Sequence, residues 1–489
     1  MRMTILLLAL SLATHFGCSS PGSNGTGQDT QADTGSDAAA DAVPQDALPD
    51  PSLDTAPDAL QLDTPRVDTT LPDVVDDPDA GQDAPADTAL PELGNDTTPE
   101  EEVWAPPGEE GTPEHPVLVS AFPFVQAYDT STSPTSQIDL YACADWLGEE
   151  GPELYYRVTL PQSGTLKVEV LEQAGVDVDI HLLSSLAVEG GMATDCIDRS
   201  NTQLRVPDLA EGEYWVVIDS CSEEGEALDG AFWVAFELDL WDQWQVIEVS
   251  PGMTWKKKIY SDYCGGPQTI NVLEVDLGDP ALAPKPYREN GCIHPSEVGD
   301  AQGARAAINA GFFAVVDGCP ALSLIRIDGQ LVEYQHLDGQ PRRAFGLDVA
   351  GNPLFADIPA WTDWPEAFQA ISGHPNLVTA GGIDIVPWAE TSLYTSRHPR
   401  TGLGVTTDNH LLLVTVDGRT EAGAGMTLQE FAQHFLYLGA VDAINLDGGG
   451  STTMWIPGMS INGIVNHPSD NELPDHWGER AVSDAFLIH

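Results

Sequence analysis

The stretch Ala443-Ile-Asn-Leu-Asp-Gly-Gly-Gly-Ser-Thr-Thr-Met454 decides how the C-terminal half of this chain is read, because a short apolar run ends in one carboxylate, three glycines and three hydroxyls. Glycines let backbone N–H groups approach an anion closely, and hydroxyls add donors beside them. Upstream, Thr427-Leu-Gln-Glu430 has the spacing of a capping box; Leu428, Phe431, Ala432, Phe435 and Leu436 share one helical face, and Gly439 stands where a C′ glycine belongs. The pattern predicts a helix feeding a short buried strand whose end presents Asp447. A D-G hairpin turn would also follow such a run, although a two-residue turn has no use for a third glycine.

Around this point, residues 241–489 repeat one theme. Asn309-Ala-Gly-Phe-Phe313, His398-Pro-Arg-Thr-Gly-Leu-Gly404, Leu411-Leu-Leu-Val-Thr-Val-Asp-Gly-Arg419 and Glu479-Arg-Ala-Val482 are polar clusters, each beside an apolar strand-like run. Side chains so placed project from the rim of a buried sheet. Singly, Asn309-Ala-Gly reads as a turn, Asp417-Gly418 as a hairpin and Arg480 as a surface charge. The segment has 9 Arg and 4 Lys amid 30 acidic residues, so an anion would be bound by a few arginines focused in a cleft. There is no G-x-S-x-G, no G-x-x-x-x-G-K-[ST] and no H-E-x-x-H. A net charge of −58 argues against nucleic acid as partner.

The N-terminal part is of another kind. Arg2, the apolar run Ile5 to Ala13 and Gly17-Cys18-Ser19-Ser20 form a secretory signal too short to span a membrane as a mature helix. Gly before Cys resembles the bacterial lipobox and points to lipidation at Cys18, with ordinary cleavage as the alternative. Residues 19–113 contain 17 Asp, 6 Glu, 14 Pro and one Arg, a composition unable to offset chain entropy by apolar burial. The expected organisation is a signal peptide over 1–18, a disordered acidic linker over 19–115, an all-β sandwich over 116–240 and the C-terminal domain over 241–489. Cys18 aside, six cysteines (Cys143, Cys196, Cys221, Cys264, Cys292 and Cys319) suit disulfides in an exported protein.

Within 116–240, candidate strands Leu154–Leu160, Thr165–Leu171, Val178–Leu183, Gln203–Val206, Glu213–Asp219 and Ala231–Leu238 alternate with turn residues, as in a sandwich. The pieces Val176-Asp-Val-Asp-Ile-His-Leu-Leu183 and Leu209–Asp219 resemble the bacterial pre-peptidase C-terminal domain. Asp177 and Asp179 fall on one face of a period-2 strand, where a pair of carboxylates can hold calcium or simply face water.

Across about the last 220 residues the chain resembles the phosphodiester glycosidase family. The resemblance is carried by Asn309-Ala-Gly-Phe-Phe313, Ala370-Ile-Ser-Gly373, Leu377-Val378, Pro399-Arg-Thr-Gly-Leu-Gly404, Val416-Asp-Gly-Arg419, Leu446-Asp-Gly-Gly-Gly-Ser-Thr-Thr-Met454 and Glu479-Arg-Ala-Val482. His374 departs from the glycine many members have after Ser-Gly. The resemblance implies an α+β domain with a mixed central sheet. It also implies hydrolysis of the glycosidic C–O bond of a sugar-1-phosphodiester of the N-acetylglucosamine type. No cofactor is expected to be required; carboxylate-bound calcium near Asp447 or Asp417 stays open, because hard cations need only oxygen ligands.

Glycoside cleavage generally uses two carboxylates. Asp417 and Asp447 are the expected pair, with Glu479 in reserve. Arg400 and Arg480, the N–H groups of Gly448, Gly449 and Gly450, and the Ser451 hydroxyl would cradle the phosphate. Asn309 would bind sugar or orient a carboxylate, and Phe313 and Thr401 would complete the substrate site. The expected protein is a hydrolase tethered by lipid at a bacterial cell envelope, at the outer membrane or cell surface, acting on phosphodiester-linked glycopolymers. The alternative is a noncatalytic glycan-binding lipoprotein with the same pocket.

Overall fold

The computed structural model describes residues 110–489 except 145–148, 224–225, 317, 335–340, 386–391 and 422. The signal segment, Cys18 and almost all of the acidic linker therefore lie outside the described residues. The described chain is rich in β-strand, and its only helices of more than three residues are α1 (Pro295–Ala301), α2 (Ser392–Thr395) and α3 (Leu428–Tyr437).

Residues 116–240 make two principal sheets. One has the order Val117–Val119, Glu153–Leu160, Gly212–Ser220, Val178–Leu183, Cys196–Ser200; the other runs Gln203–Leu209, Gly164–Glu172, Ala231–Asp239, Phe124–Asp129. Alternation decides which residues point inward. Tyr156, Val158, Ile180, Val216 and Ile218 from the first sheet meet Val168, Val170, Val234 and Phe236 from the second in one buried cluster. Disulfide Cys143–Cys196 lies in this segment and Cys292–Cys319 in the next, while Cys221 is a free thiol.

The C-terminal segment centres on an eight-stranded sheet: Trp244–Ser250, Met253–Tyr260, Gln268–Asp276, His410–Val416, Arg400–Thr406, Ala440–Asn445, Asn376–Thr379, Gly382–Ile383. Both faces are covered, which explains why Leu411-Leu-Leu-Val414 is apolar at every position: Leu411 and Leu413 enter one core, Leu412 and Val414 another beneath α3. Helix α3 begins as its spacing predicts. The Thr427 hydroxyl accepts from Glu430 N–H, the Glu430 carboxylate accepts from Thr427 N–H, and Gly439 lies at φ +89°.

The expectation of a mixed central sheet is corrected. Every strand pairing in this sheet is antiparallel, as are those of the adjoining four- and five-stranded sheets. Parallel neighbours need long crossovers, usually helical, and α3, with 10 residues, is the longest helix among the described residues.

Polar contacts join the two segments. Buried Lys257 donates to Asp239 (2.9 Å) and Glu237 (3.2 Å), the His476 ring contacts Glu237 at 2.8 Å, and the Trp477 indole donates to Glu169 at 2.6 Å. Burial opposes the charge on Lys257, but Asp239 and Glu237 hold it above the ordinary lysine range.

Candidate active site

Strand ends from two sheets converge where the sequence places its polar clusters. Arg400 pairs with Val416, and Gly402 with Asn445, so the starts and ends of three neighbouring strands lie side by side. Asp447 follows strand Ala440–Asn445 and is partly exposed, with its N–H on Ala310 C=O at 2.9 Å. Desolvation by its surroundings pushes this carboxyl up to about 7; Ser451 and the Gly448 N–H oppose the shift, the Asp484 carboxylate adds to it, and Arg480 opposes it. Asp484 itself is fully buried in strand Val482–Ile488 and raised to about 6, chiefly by burial. It accepts from Gly311 N–H at 2.5 Å and from the Ser483 hydroxyl.

The carboxylate that perturbs Asp447 is therefore Asp484, which sequence reasoning missed. The Glu479-Arg-Ala-Val482 cluster ends two residues before it. The available signal was an acid leading into the apolar run Ala485-Phe-Leu-Ile488, since unpaired acids are rarely buried in strands. The Asn309-Ala-Gly motif now has a reason: a Cβ on Gly311 would lie 2.9 Å from Asp484 Oδ1 and closer still to Ser323.

Two of the three glycine N–H groups expected to cradle phosphate, those of Gly448 and Gly449, are already engaged. Gly448 N–H donates to Asp447's own carboxylate at 3.1 Å, Gly449 N–H to Pro399 C=O at 2.9 Å, and Ser451 N–H to Gly448 C=O at 3.3 Å. These three donors bond inside the protein, and the turn forms a short 3-10 segment, Gly449–Ser451. The glycines serve close approach instead. Gly449 has φ +63°, and a Cβ there would stand 3.0 Å from the Arg419 guanidinium; a Cβ on Gly450 would overlap Asp470 and Arg480. Two guanidinium groups thus press on the turn beside Asp447.

Arg400 is not one of them, correcting its assignment as the phosphate grip. It is 2% exposed, and its guanidinium donates to the backbone carbonyls of Met426 (2.7 Å), Leu393 (2.8 Å) and Ser396 (3.0 Å). Burial, then Arg419, lowers it to about 10. Arg480 is partly exposed and is held by Asp470 through two bonds of 2.6 and 2.5 Å. Arg419, part of the Val416-Asp-Gly-Arg419 motif but not assigned to binding from sequence, is exposed and meets His398 Nδ1 at 3.2 Å.

Several other expected site residues are structural. Glu479 accepts from the Ser296 N–H at 3.0 Å and from its hydroxyl, so it caps α1, whose His294 N-cap supplies no side-chain bond. Phe313 packs with Cys319, Trp455 and Ile464 in the core. Thr401 is buried and donates to Asn309 Oδ1 at 2.8 Å. Asn309 also donates to Asp447 C=O at 2.7 Å and accepts from Thr453 N–H at 3.1 Å, so it orients the loop bearing Asp447 and does not face a sugar. Asp417 is fully buried and accepts from His467 N–H (3.2 Å) and Nδ1 (2.7 Å) on one oxygen, leaving the other with no hydrogen-bond partner. It therefore does not reach solvent as a member of an exposed pair. Among the described residues, no group of three His, Cys, Asp or Glu ligand atoms gathers around Asp447 or Asp417; Asp177 and Asp179 gather instead with Cys221 in the middle segment.

Residues 302–489 match the model of the phosphodiester glycosidase family. The N-acetylglucosamine-1-phosphodiester alpha-N-acetylglucosaminidase of Mus musculus is 30% identical over 203 residues, covering 38% of each chain. The human protein of that name is 37% identical over 91 residues, 18% of this chain and 17% of the other. The SPbeta prophage-derived uncharacterized protein YomE of Bacillus subtilis is 38% identical over 101 residues, 21% of this chain and 14% of the other. This chain thus spans well under half the length of each of these relatives. Among solved structures, the zebrafish N-acetylglucosamine-1-phosphodiester alpha-N-acetylglucosaminidase catalytic domain, auto-inhibited by its pro-peptide, aligns with TM-score 0.40 and 24% identity over 50% of this chain and 87% of that one.

Proposed function

We propose that this chain, whose residues 302–489 match the phosphodiester glycosidase family, hydrolyses the glycosidic C–O bond of a sugar-1-phosphodiester of the N-acetylglucosamine type, releasing free sugar and a phosphomonoester. One observation carries the reading: a partly exposed carboxyl raised to about 7, Asp447, lies at a turn on which the guanidinium groups of Arg419 and Arg480 converge.

The division of labour follows from the chemistry of the leaving group. A phosphomonoester departs far more readily than a sugar alkoxide, so strong protonation of the leaving oxygen matters less than stabilising its charge. Arg419 and Arg480 supply that charge, and a guanidinium offers phosphate a planar fork. Asp447 in its ionised form acts on the anomeric side, as nucleophile or as base for water. Buried Asp484 is a positioning residue: it does not reach the substrate, and its charge adds to the burial that makes Asp447 basic enough to act near neutral pH. Asn309 fixes the carbonyl of Asp447 and so the angle at which the carboxylate enters.

The location belongs to the same proposal. The leader and two disulfides suit export, and lipidation at Cys18 would leave the acidic segment as a spacer between membrane and enzyme. The test is a panel of sugar-1-phosphate esters presented to the purified chain and to Asp447→Asn. Release of free sugar by the wild type and its loss in a folded variant support the enzyme. Tight binding without release by both would favour the noncatalytic glycan-binding reading.

A further inference from the structure

We propose that the middle segment binds one divalent metal ion of the zinc class, with Glu149, Asp179, His181 and Cys221 as ligands. Glu149 precedes strand Glu153–Leu160, Asp179 and His181 lie in strand Val178–Leu183, and Cys221 follows strand Gly212–Ser220, all remote in sequence from the glycine turn.

The donors are gathered and short of partners. Glu149, Asp179 and His181 are 1%, 2% and 0% exposed, and one ligand atom of each lies within 4.8 Å of the others. Glu149 Oε1, Asp179 Oδ1 and both ring nitrogens of His181 have no hydrogen-bond partner. Buried polar groups are ordinarily paired, and buried charges are paired or coordinate a metal. Two further acids, Glu153 and Asp219, are fully buried in the adjoining strands, and each has an oxygen with no partner. One cation, Arg199, faces this group, on Asp179 Oδ2. A divalent ion would offset the excess negative charge.

The donors lie at the spacing of groups around one small ion. Cys221 Sγ is 3.3 Å from Glu149 Oε2 and 3.5 Å from Asp179 Oδ2, and His181 Nε2 is 3.7 Å from the other Glu149 oxygen, Oε1, so Glu149 and Asp179 stand between the imidazole and the thiol. An imidazole and a thiol beside two carboxylates select zinc over calcium, which takes six to eight oxygens.

The surroundings support the ligands. The Tyr141 ring stacks on His181 at 3.4 Å and 5°, fixing the imidazole plane, and its hydroxyl is anchored on Asp219 at 2.6 Å. Arg199 orients the Asp179 carboxylate as an outer partner. Binding forms a metal–thiolate bond and releases the thiol proton to solvent. The sequence pointed to Asp177 and Asp179; both gather with Cys221, and buried Asp179 also gathers with Glu149 and His181, partners no spacing rule connects.

The full chain, dialysed against zinc and separately against calcium and then freed of loose ions, should retain about one zinc per chain and less than a tenth as much calcium. Cobalt loading should give a cobalt–thiolate charge-transfer band that Cys221→Ser abolishes. His181→Ala should cut retained zinc at least tenfold; should it fail to fold, the conservative Cys221→Ser carries the test through its weaker zinc retention and lost band. Absence of stoichiometric zinc, zinc retained undiminished by both variants, or calcium bound in preference would overturn the proposal.

Discussion

Replacing Asp484 by Asn should move the pH dependence of the reaction without removing it. Asp447 stands at about 7 against an ordinary 3.8; burial supplies the largest share of the rise, and Asp484 is the like charge that adds to it. Removing that charge should bring Asp447 down, by less than burial raises it. With ionised Asp447 the active form, about 10% of it is ionised at pH 6, and every downward movement of about 0.3 pH unit should raise kcat/KM at pH 6 about twofold while the plateau near pH 8.5 changes little. Asn is isosteric and keeps an oxygen for the Gly311 N–H, now at 2.5 Å from the carboxylate, so the site should remain assembled. The assay is a pH profile of kcat/KM on a soluble sugar-1-phosphodiester, with folding checked by circular dichroism. An acid limb that stays in place, or moves to higher pH, would refute the coupling of these two carboxyls.

Other outcomes follow from the same geometry. Arg419→Lys should slow sugar-phosphodiester cleavage about ten- to a hundred-fold, since charge-assisted hydrogen bonds are worth about 1.5–3 kcal/mol, while turnover of an activated neutral aryl glycoside should scarcely change; equal losses on both substrates would remove Arg419 from phosphate binding. Arg400→Met should instead lower stability by about 3 kcal/mol or more in denaturant titrations, because three buried carbonyls lose their donor. Gly450→Ala should displace the Arg480–Asp470 pair, whose atoms occupy the place of a Cβ, and raise KM for the phosphodiester; an unchanged KM would contradict the placement of Arg480. The raised carboxyls also bear on stability: Asp447 and Asp484 bind protons more tightly in the folded state, so their contribution is full below about pH 4 and is lost as pH rises through 6 to 7. Relative to wild type, the Asp447→Asn/Asp484→Asn double variant should therefore gain melting temperature from pH 5 to pH 8, and a constant difference would show that neither carboxyl is shifted.

The local elements were legible because their causes are local. A capping box, a stripe of apolar residues and a terminal glycine define α3, and alternation located six of the nine strands in the two middle sheets to within three residues at either end. Asp447 was legible for the same reason, as the acid that ends a strand before glycine. What failed depended on distant partners. Arg400 reads as a cation available for phosphate until three carbonyls from residues 393, 396 and 426 are seen to enclose it. Glu479 caps a helix 183 residues away in sequence. Asp484 lies in a run that reads as plain core, and its proximity to Asp447 arises only when two different sheets meet.

The most direct test of the account is the fate of oxygen when the purified chain hydrolyses an N-acetylglucosamine-1-phosphodiester in water enriched in oxygen-18. Cleavage of the glycosidic C–O bond by way of Asp447 predicts free sugar and a phosphomonoester that acquires no label, with turnover lost in Asp447→Asn. Labelled phosphate would mean that the P–O bond breaks and would contradict the assignment, as would turnover that persists undiminished in the folded variant.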